Sequence, residues 1–382
     1  MFFPRWNQMN WPNSLFLLST LLIALTGVPA YLCYHGLDWF QVILFLLFFA
    51  ATGLSITVGY HRLFSHLTFK ASWPVRLFTL VFGAAAFENS VLCWAADHRK
   101  HHKFVDQDDD PYNITKGFFH AHIGWMLSKT PVETSFEAVR DLQQDRLVRW
   151  QHRYYVLIAA LACFVLPALL GWLRAGWPGA LGAFLLAGVA RVVLVHHMTF
   201  FINSWSHTWG QRPYSSRFTA RDNAVLAWLT FGEGYHNFHH AFQHDYRNGV
   251  KPWQFDPTKW CIWLLHTVGL ARQLRRVPTE TILLTEVAER QRQLAARLNT
   301  VPAQVSESIH RLLQAAQERL QQAAEAWERG KANYRRAAEE KMEASRERAS
   351  ELQREFHEAR QRLRLAIREW QEAYRRAEAQ LA

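Results

Sequence analysis

Nine histidines follow a spacing that suits metal binding better than a packed core. They are His61 and His66, then His98, His101 and His102, then His207, then His236, His239 and His240. Two groups share the pattern H-x-x-H-H, and the first reads H-x4-H. On a helix, residues at i, i+3 and i+4 project from one face. Each H-x-x-H-H therefore offers three imidazoles to one side, enough to reach two ions. Positions i and i+5 stand about 140° apart on a regular helix, so His61 and His66 are expected to straddle a helix end. Neutral imidazole suits zinc, copper, iron and nickel. Structural zinc usually closes with four ligands, often including cysteine, and no cysteine accompanies these histidines. Nine ligands are too many for one ion and suit two. An all-nitrogen metal pair points to redox-active iron and oxygen chemistry, although spacing alone leaves zinc and manganese open. Asn203 lies four residues before His207, one turn away on the same face, where its amide could hold a metal-bound water.

The groups sit at the ends of long apolar segments. Four runs reach the roughly 20 apolar residues needed to span a bilayer: about Leu15 to Tyr34, Trp39 to Gly59, Tyr155 to Trp172 and Trp177 to Ile202. The connections Cys33 to Asp38 and Leu173 to Gly179 are short, so each pair of runs forms a hairpin. A further stretch, Val75 to Ala95, is interrupted by Glu88 and Asn89 and fits an interfacial or partly re-entrant helix. Polar residues at such depth are functional candidates; a helix lying in the headgroup layer is the plainer alternative.

Formal charge is +11, from 43 Lys+Arg against 32 Asp+Glu. In membrane proteins basic residues gather on the cytoplasmic side and meet anionic lipid there, so membrane lipid rather than nucleic acid is the expected partner. Arg62, Lys70, Arg76, Arg99, Lys100 and Lys103 follow the second run, and basic residues abound after the fourth, whereas the hairpin turns contain only Arg174. Both termini and all nine histidines are thus expected in the cytoplasm. Cys33, Cys93, Cys163 and Cys261 have no C-x-x-C partner and read as small buried hydrophobes in a reducing compartment. The first apolar run is too long for a cleavable signal peptide.

From about Glu280 the composition turns to Ala, Glu, Arg and Gln. Leu313, Leu320, Trp327 and Tyr334 repeat at seven residues, with Ala316, Ala323 and Ala337 on the complementary seam and Gly330 interrupting it. A second frame carries Phe356, Leu363 and Trp370 with Ala359, Ala366 and Ala373, after a shift near Lys341. Such heptads favour a coiled coil, and a solvated helical hairpin is the alternative. The expected organisation is an all-α integral membrane protein. Residues 1–275 form four transmembrane helices in two hairpins under a cytosolic helical cap that holds the di-metal site. Residues 276–382 form a helical, coiled-coil tail through which copies could associate.

The motifs resemble those of membrane acyl-CoA desaturases of the delta-9, stearoyl-CoA type. The resemblance rests on His61-Arg62-Leu63-Phe64-Ser65-His66, on Asp97-His98-Arg99-Lys100-His101-His102, on Asn203 to His207, and on Gly232 to His240. It extends to Asp110-Pro111, Gly117-Phe118-Phe119 and Asp245 to Gly249, covers roughly residues 10 to 275, and leaves the tail unaccounted for. It implies two iron ions (Fe2+) held by the nine histidines, with a water on Asn203. It further implies that dioxygen and two supplied electrons remove hydrogen from C9 and C10 of a saturated C16–C18 acyl-CoA, leaving a cis double bond. Substrate contacts implied by position are Glu88, Asn89, Trp94, Lys129, Thr199 and Phe200, with Phe49 and Gly53 near the tunnel end, where a bulky Phe49 would set the chain length.

Two departures from animal members bear on the CoA headgroup. Ala96 stands where they carry a CoA-contacting Arg, and only Lys129 remains of a basic pair after Gly124-Trp125. Phe200 replaces a Trp near the acyl carbonyl. The same chemistry on a phospholipid- or carrier-linked chain therefore stays open. So do acyl hydroxylation and, outside enzymology, a membrane scaffold with structural metal. No H-P-G-G haem signature occurs, so electrons are expected from a separate ferredoxin-, flavin- or cytochrome-type donor. A bacterial source would place the protein in the inner membrane.

Overall fold

The computed structural model describes residues 6–129, 135–339 and 346–381. The chain divides into two compact units, one of residues 1–212 and 216–276, the other of residues 213–215 and 277–382.

In the first unit, the Asn10 side chain accepts from the Asn13 amide and Pro12 sits in the first turn, which starts the helix Trp11–His35. The helix ends at Gly36, whose φ of +71° is left-handed and costs glycine no Cβ clash. A second helix runs from Trp39 to Leu54 and continues as a π-helix over Ser55–Ser65. Trp11–His35, Trp39–Ser65 and Tyr155–His207 are long and apolar enough to cross a membrane. The last, 53 residues long, is broken at Ala175 and Gly176, whose backbone leaves the helical region. Its arms fold back on each other: the Phe164 and Phe184 rings lie 5.5 Å apart, and a Cβ added at Gly171 would overlap the Gly179 carbonyl.

The stretch Val75 to Ala95 is two helices, Trp73–Ala84 and Val91–Phe104, separated at Glu88 and Asn89. Phe87 and Asn89 take positive φ values of 56° and 77° at the break. Helix ends leave carbonyls without partners, and here two side chains from Arg191–Ser204 supply donors. Arg191 donates to Ala85 O at 2.7 Å, and His196 donates to Ala86 O at 2.7 Å. Ser90 then caps the next helix by accepting from the Cys93 amide. Lys70–Ala71 pairs antiparallel with Ala271–Arg272, tying the end of the unit to the segment after the first histidine pair. The buried core between these elements includes Tyr60, Leu80, Val91, Ala95, Val148 and Ile262.

The second unit contains three helices, Thr279–Leu298, Ala303–Glu339 and Arg346–Gln380. Leu313, Leu320 and Trp327 pack with Leu363, Ile367 and Trp370, and Val287, Leu294 and Leu298 of the first helix complete the cluster. Glu280 accepts from Arg360 and Arg364 at 2.7 and 2.9 Å. The seam that the heptads offer to a second copy is thus filled from within the chain. Tyr334, the last member of the first frame, is exposed and stacks on Phe356 with centroids 5.8 Å apart. The frame shift near Lys341 lies outside the described residues.

Candidate metal centre

The first histidine pair depends on the π winding. His66 N donates to His61 O at 3.1 Å, the i+5 bond of a π-turn. This brings the two rings within 4.8 Å of each other. His66 does cap the helix end, but the pair shares a face because the last turns widen.

Among the described residues the nine histidines form two groups: His61, His66, His98, His102 and His239, and His101, His207, His236 and His240. Within each group the ligand atoms all lie within 4.8 Å of one another. Each H-x-x-H-H box is divided between them. His98 and His102, at i and i+4, serve the first group while His101 serves the second. His236 and His240 serve the second while His239 serves the first. The spacing that puts three imidazoles on one face therefore gives each centre one i,i+4 pair, with the remaining ring going to its neighbour.

The donor set fits metal. Burial, and next the neighbouring imidazoles, hold His98, His102, His236, His239 and His240 well below the ordinary histidine value, so their rings are neutral, as ligation requires. Nε2 faces Nε2 at 3.0 Å for His61 and His239, 2.7 Å for His66 and His98, 2.9 Å for His239 and His102, and 3.1 Å for His240 and His236. His61 and His101 direct Nδ1 at carboxylates, Glu233 Oε2 and Asp110 Oδ1, each at 2.9 Å. The proton is then on Nδ1 and the lone pair on Nε2. Each contact suits either one Nε2–H donating to the facing lone pair or a cation between the two nitrogens. Ligands at about 2.1 Å from an ion and at right angles stand about 3.0 Å apart, which matches the observed separations. His207 Nε2 is buried without a hydrogen-bond partner, as a free ligand atom would be. Its Nδ1 donates to the Thr219 hydroxyl at 2.7 Å, which donates to Asp106 at 2.6 Å.

A family model described as fatty acid desaturase matches residues 37–260. The chain belongs to the fatty acid desaturase family. It is 40% identical over 298 residues to the probable acyl-CoA desaturase of Schizosaccharomyces pombe, covering 77% of this chain and 61% of that one. It is 40% identical over 308 residues to acyl-CoA desaturase 1 of Saccharomyces cerevisiae, covering 78% and 59%. Against the acyl-CoA Delta-9 desaturase of Acheta domesticus it is 33% identical over 287 residues, covering 73% and 78%. The chain thus spans about three-fifths of the length of the first two relatives.

Around the histidine groups lies a buried polar network. Arg62 is fully buried and donates to Glu233 at 2.8 Å, to Asp256 at 3.0 Å and to the Tyr246 carbonyl at 2.7 Å. Its place after the second apolar run suggests a surface charge, but two carboxylates take up that charge in the interior. Burial raises the Glu233 carboxyl, but Arg62 and then His61 outweigh it, so the group stays below its ordinary range and ionised. Asn248 also donates to Glu233, at 2.6 Å. Partners of this kind fix ring orientation and raise ligand basicity. Glu233, Asp110, Thr219 and Tyr112, whose hydroxyl lies 3.4 Å from His98 Nδ1, had no role in the reading of spacing. Asp110 and Glu233 fall within motifs that the family resemblance covers, whereas Thr219 and Tyr112 fall in none of them.

A cavity of about 630 Å³ opens onto both histidine groups, with His61, His98, His101 and His236 in its wall. Gly53, Glu88, Asn89, Trp94, Thr199, Phe200 and Asn203 also line it. Glu88 Oε1 accepts from the Thr199 hydroxyl at 2.8 Å and Oε2 from Trp94 Nε1 at 3.3 Å, and Trp94 stacks on His98 at 4.8 Å. Phe49 and Lys129 are not among the lining residues. Phe49 packs on Phe231, and Lys129 is exposed, its ammonium 3.3 Å from the Asn7 carbonyl.

The division of ligands gives a direct expectation. His98→Ala and His236→Ala each remove one ligand from a different group, so each should lower the metal content from two ions per chain toward one. Elemental analysis of the purified full chain checks this. Unchanged metal content in both variants would show that the histidines do not hold the ions.

Proposed function

We propose that this protein is an oxygen-dependent acyl-CoA desaturase that holds two irons and forms a cis double bond at the delta-9 position of a saturated C16–C18 chain. The observation that carries the reading is a cavity that passes both histidine groups. The names of the relatives, acyl-CoA desaturases and an acyl-CoA Delta-9 desaturase, support CoA as the carrier and C9 as the position. Iron bound at the two groups supplies the redox chemistry by which dioxygen, with two electrons from a separate donor and two protons, removes two hydrogens from adjacent carbons and leaves two waters. The residues of the chain supply position and dryness. Trp94 joins a metal-ligand ring to Glu88, and Glu88 joins it to Thr199, so the cavity wall is fixed relative to the ligands, and such fixing is where much of the rate comes from. Phe87, Val195 and Phe200 in the wall keep water from competing.

In the proposed membrane arrangement, the two apolar helices and the two arms of Tyr155–His207 make four crossings in two hairpins. Both termini and the centre lie in the cytosol, which the basic residues outside the hairpin turns support. A bacterial source would make this the inner membrane. A separate ferredoxin-, flavin- or cytochrome-type donor meets the basic cytosolic face through a charge-steered contact. One observation favours a second reading, in which a phospholipid or carrier protein holds the acyl chain. Among the described lining residues there is no Lys or Arg to meet the phosphates of CoA.

Turnover of stearoyl-CoA by the anaerobically purified, iron-loaded chain with a reductant system is the test. Loss of two hydrogens at C9–C10, found by mass spectrometry, is expected. Conversion only of phospholipid-linked chains would select the second reading, and insertion of oxygen would overturn desaturation.

Burial pushes the Glu88 carboxyl up to about 7, against the hydrogen bonds from Thr199 and Trp94. An apolar chain seated beside it disfavours the charge further. Binding above pH 7 therefore takes up a proton, and KM should rise with pH there, approaching about tenfold per pH unit. Glu88→Gln should flatten this limb, and an unchanged KM profile would remove Glu88 from substrate binding.

A further inference from the structure

Phe231, from the loop before the His236–His240 box, lines the cavity and lies against Gly53. We propose that Phe231, rather than Phe49, is the stop that sets acyl-chain length; the inference rests on reading the cavity as an acyl channel.

Gly53, Thr57 and His61 stand at i, i+4 and i+8 on one helix, and all three line the cavity. The wall therefore continues two turns past the metal ligand, on the order of 10 Å at the helical rise. At Gly53 it meets Phe231, which also lines the cavity. A Cβ added at Gly53 would overlap the Phe231 ring, so the absence of a side chain there is what lets the ring lie across the helix. Phe49 stands one turn further on and does not reach the cavity. Its ring is 5.3 Å from that of Phe231 and stacks on Phe45 at 6.1 Å, so it supports the stop from behind.

The backbone holds the ring in place. Phe231 has a φ of +53° and is followed by Gly232 at +98°, a left-handed conformation that bulky residues rarely adopt and that surrounding contacts must enforce. The Thr258 hydroxyl donates to the Phe231 carbonyl at 2.8 Å and accepts from the Thr57 hydroxyl at 2.7 Å. Gly232 N donates to Ala227 O at 2.8 Å. Two residues after Phe231, Glu233 receives His61. The stop and a metal ligand are thus held by one short loop, which fixes the distance between them. A methylene chain advances about 1.25 Å per 1.52 Å bond at the tetrahedral angle. The space past the ligands therefore takes about eight carbons, close to the length beyond C9–C10 of a stearoyl chain.

The test uses the full purified chain and saturated acyl-CoAs from palmitoyl to behenoyl, which compete with a fluorescent acyl probe for the metal-loaded protein under anaerobic conditions. Product lengths are read in parallel on the iron-loaded protein. Phe231→Ala should improve binding of arachidoyl- over stearoyl-CoA by about tenfold for the two added methylenes, and Phe49→Ala should keep the wild-type order. Phe231→Leu gives a smaller shift in the same direction and serves if the Ala variant does not fold. A shift with Phe49→Ala and none with either Phe231 variant overturns the proposal while leaving the channel intact. Failure of wild-type protein to bind any acyl chain overturns the channel reading, and the stop with it.

Discussion

The structure depends on the convergence of nine histidines into two groups whose ligand atoms lie within 4.8 Å of one another. Neutral imidazoles face one another through Nε2 at hydrogen-bond range, with the Nδ1 protons of His61 and His101 already committed to carboxylates. One ring of each pair can donate to the other, but His207 Nε2 and His236 Nδ1 are buried without a partner, and a cation in each group would take up the converging lone pairs. Free energy of ion binding there would contribute to folding of the segments that carry the histidines. Those segments are far apart in the chain and meet at the two histidine groups. The π winding of Ser55–Ser65, the break at Glu88 and the strained loop at Phe231 are all local departures from regular backbone, and all three adjoin the centre or its cavity. Strain of this kind is held by surrounding contacts at functional sites.

The Arg62 network shows how the protein keeps a charge in its interior. Removing either carboxylate partner would leave the guanidinium underpaired, a change that costs about 3–5 kcal/mol in buried pairs. Glu233 is shared between this ion network and His61. The charge balance of the core and the tautomer of a metal ligand are therefore coupled through one carboxylate.

Much of the centre was legible in the sequence, because H-x-x-H-H has a fixed meaning on a helix. The division of each box between two groups was not, since it depends on how the Val91–Phe104 and His236–Ala241 helices face each other. The shared face of His61 and His66 required a π-helix, which local composition does not announce. Apolar length and the short turn near Gly176 gave the hairpin of Tyr155–His207. Arg62 looked like a surface charge because its partners, Glu233 and Asp256, are more than 170 residues away. The resemblance puts Phe49 and Gly53 together at the tunnel end; Gly53 lines the cavity, whereas Phe49 packs on Phe231 and is not in the lining. The tail heptads were visible, and a helical hairpin within the chain was one of the two readings they allowed.

Iron K-edge X-ray absorption on the anaerobically loaded full chain, combined with iron quantitation, tests the central claim most directly. Two irons per chain are expected, each in a shell of nitrogen and oxygen ligands near about 2.1 Å, dominated by imidazole scattering and without sulfur. A single iron per chain, or shells built mainly from carboxylate or thiolate, would contradict a centre divided between five histidines and four.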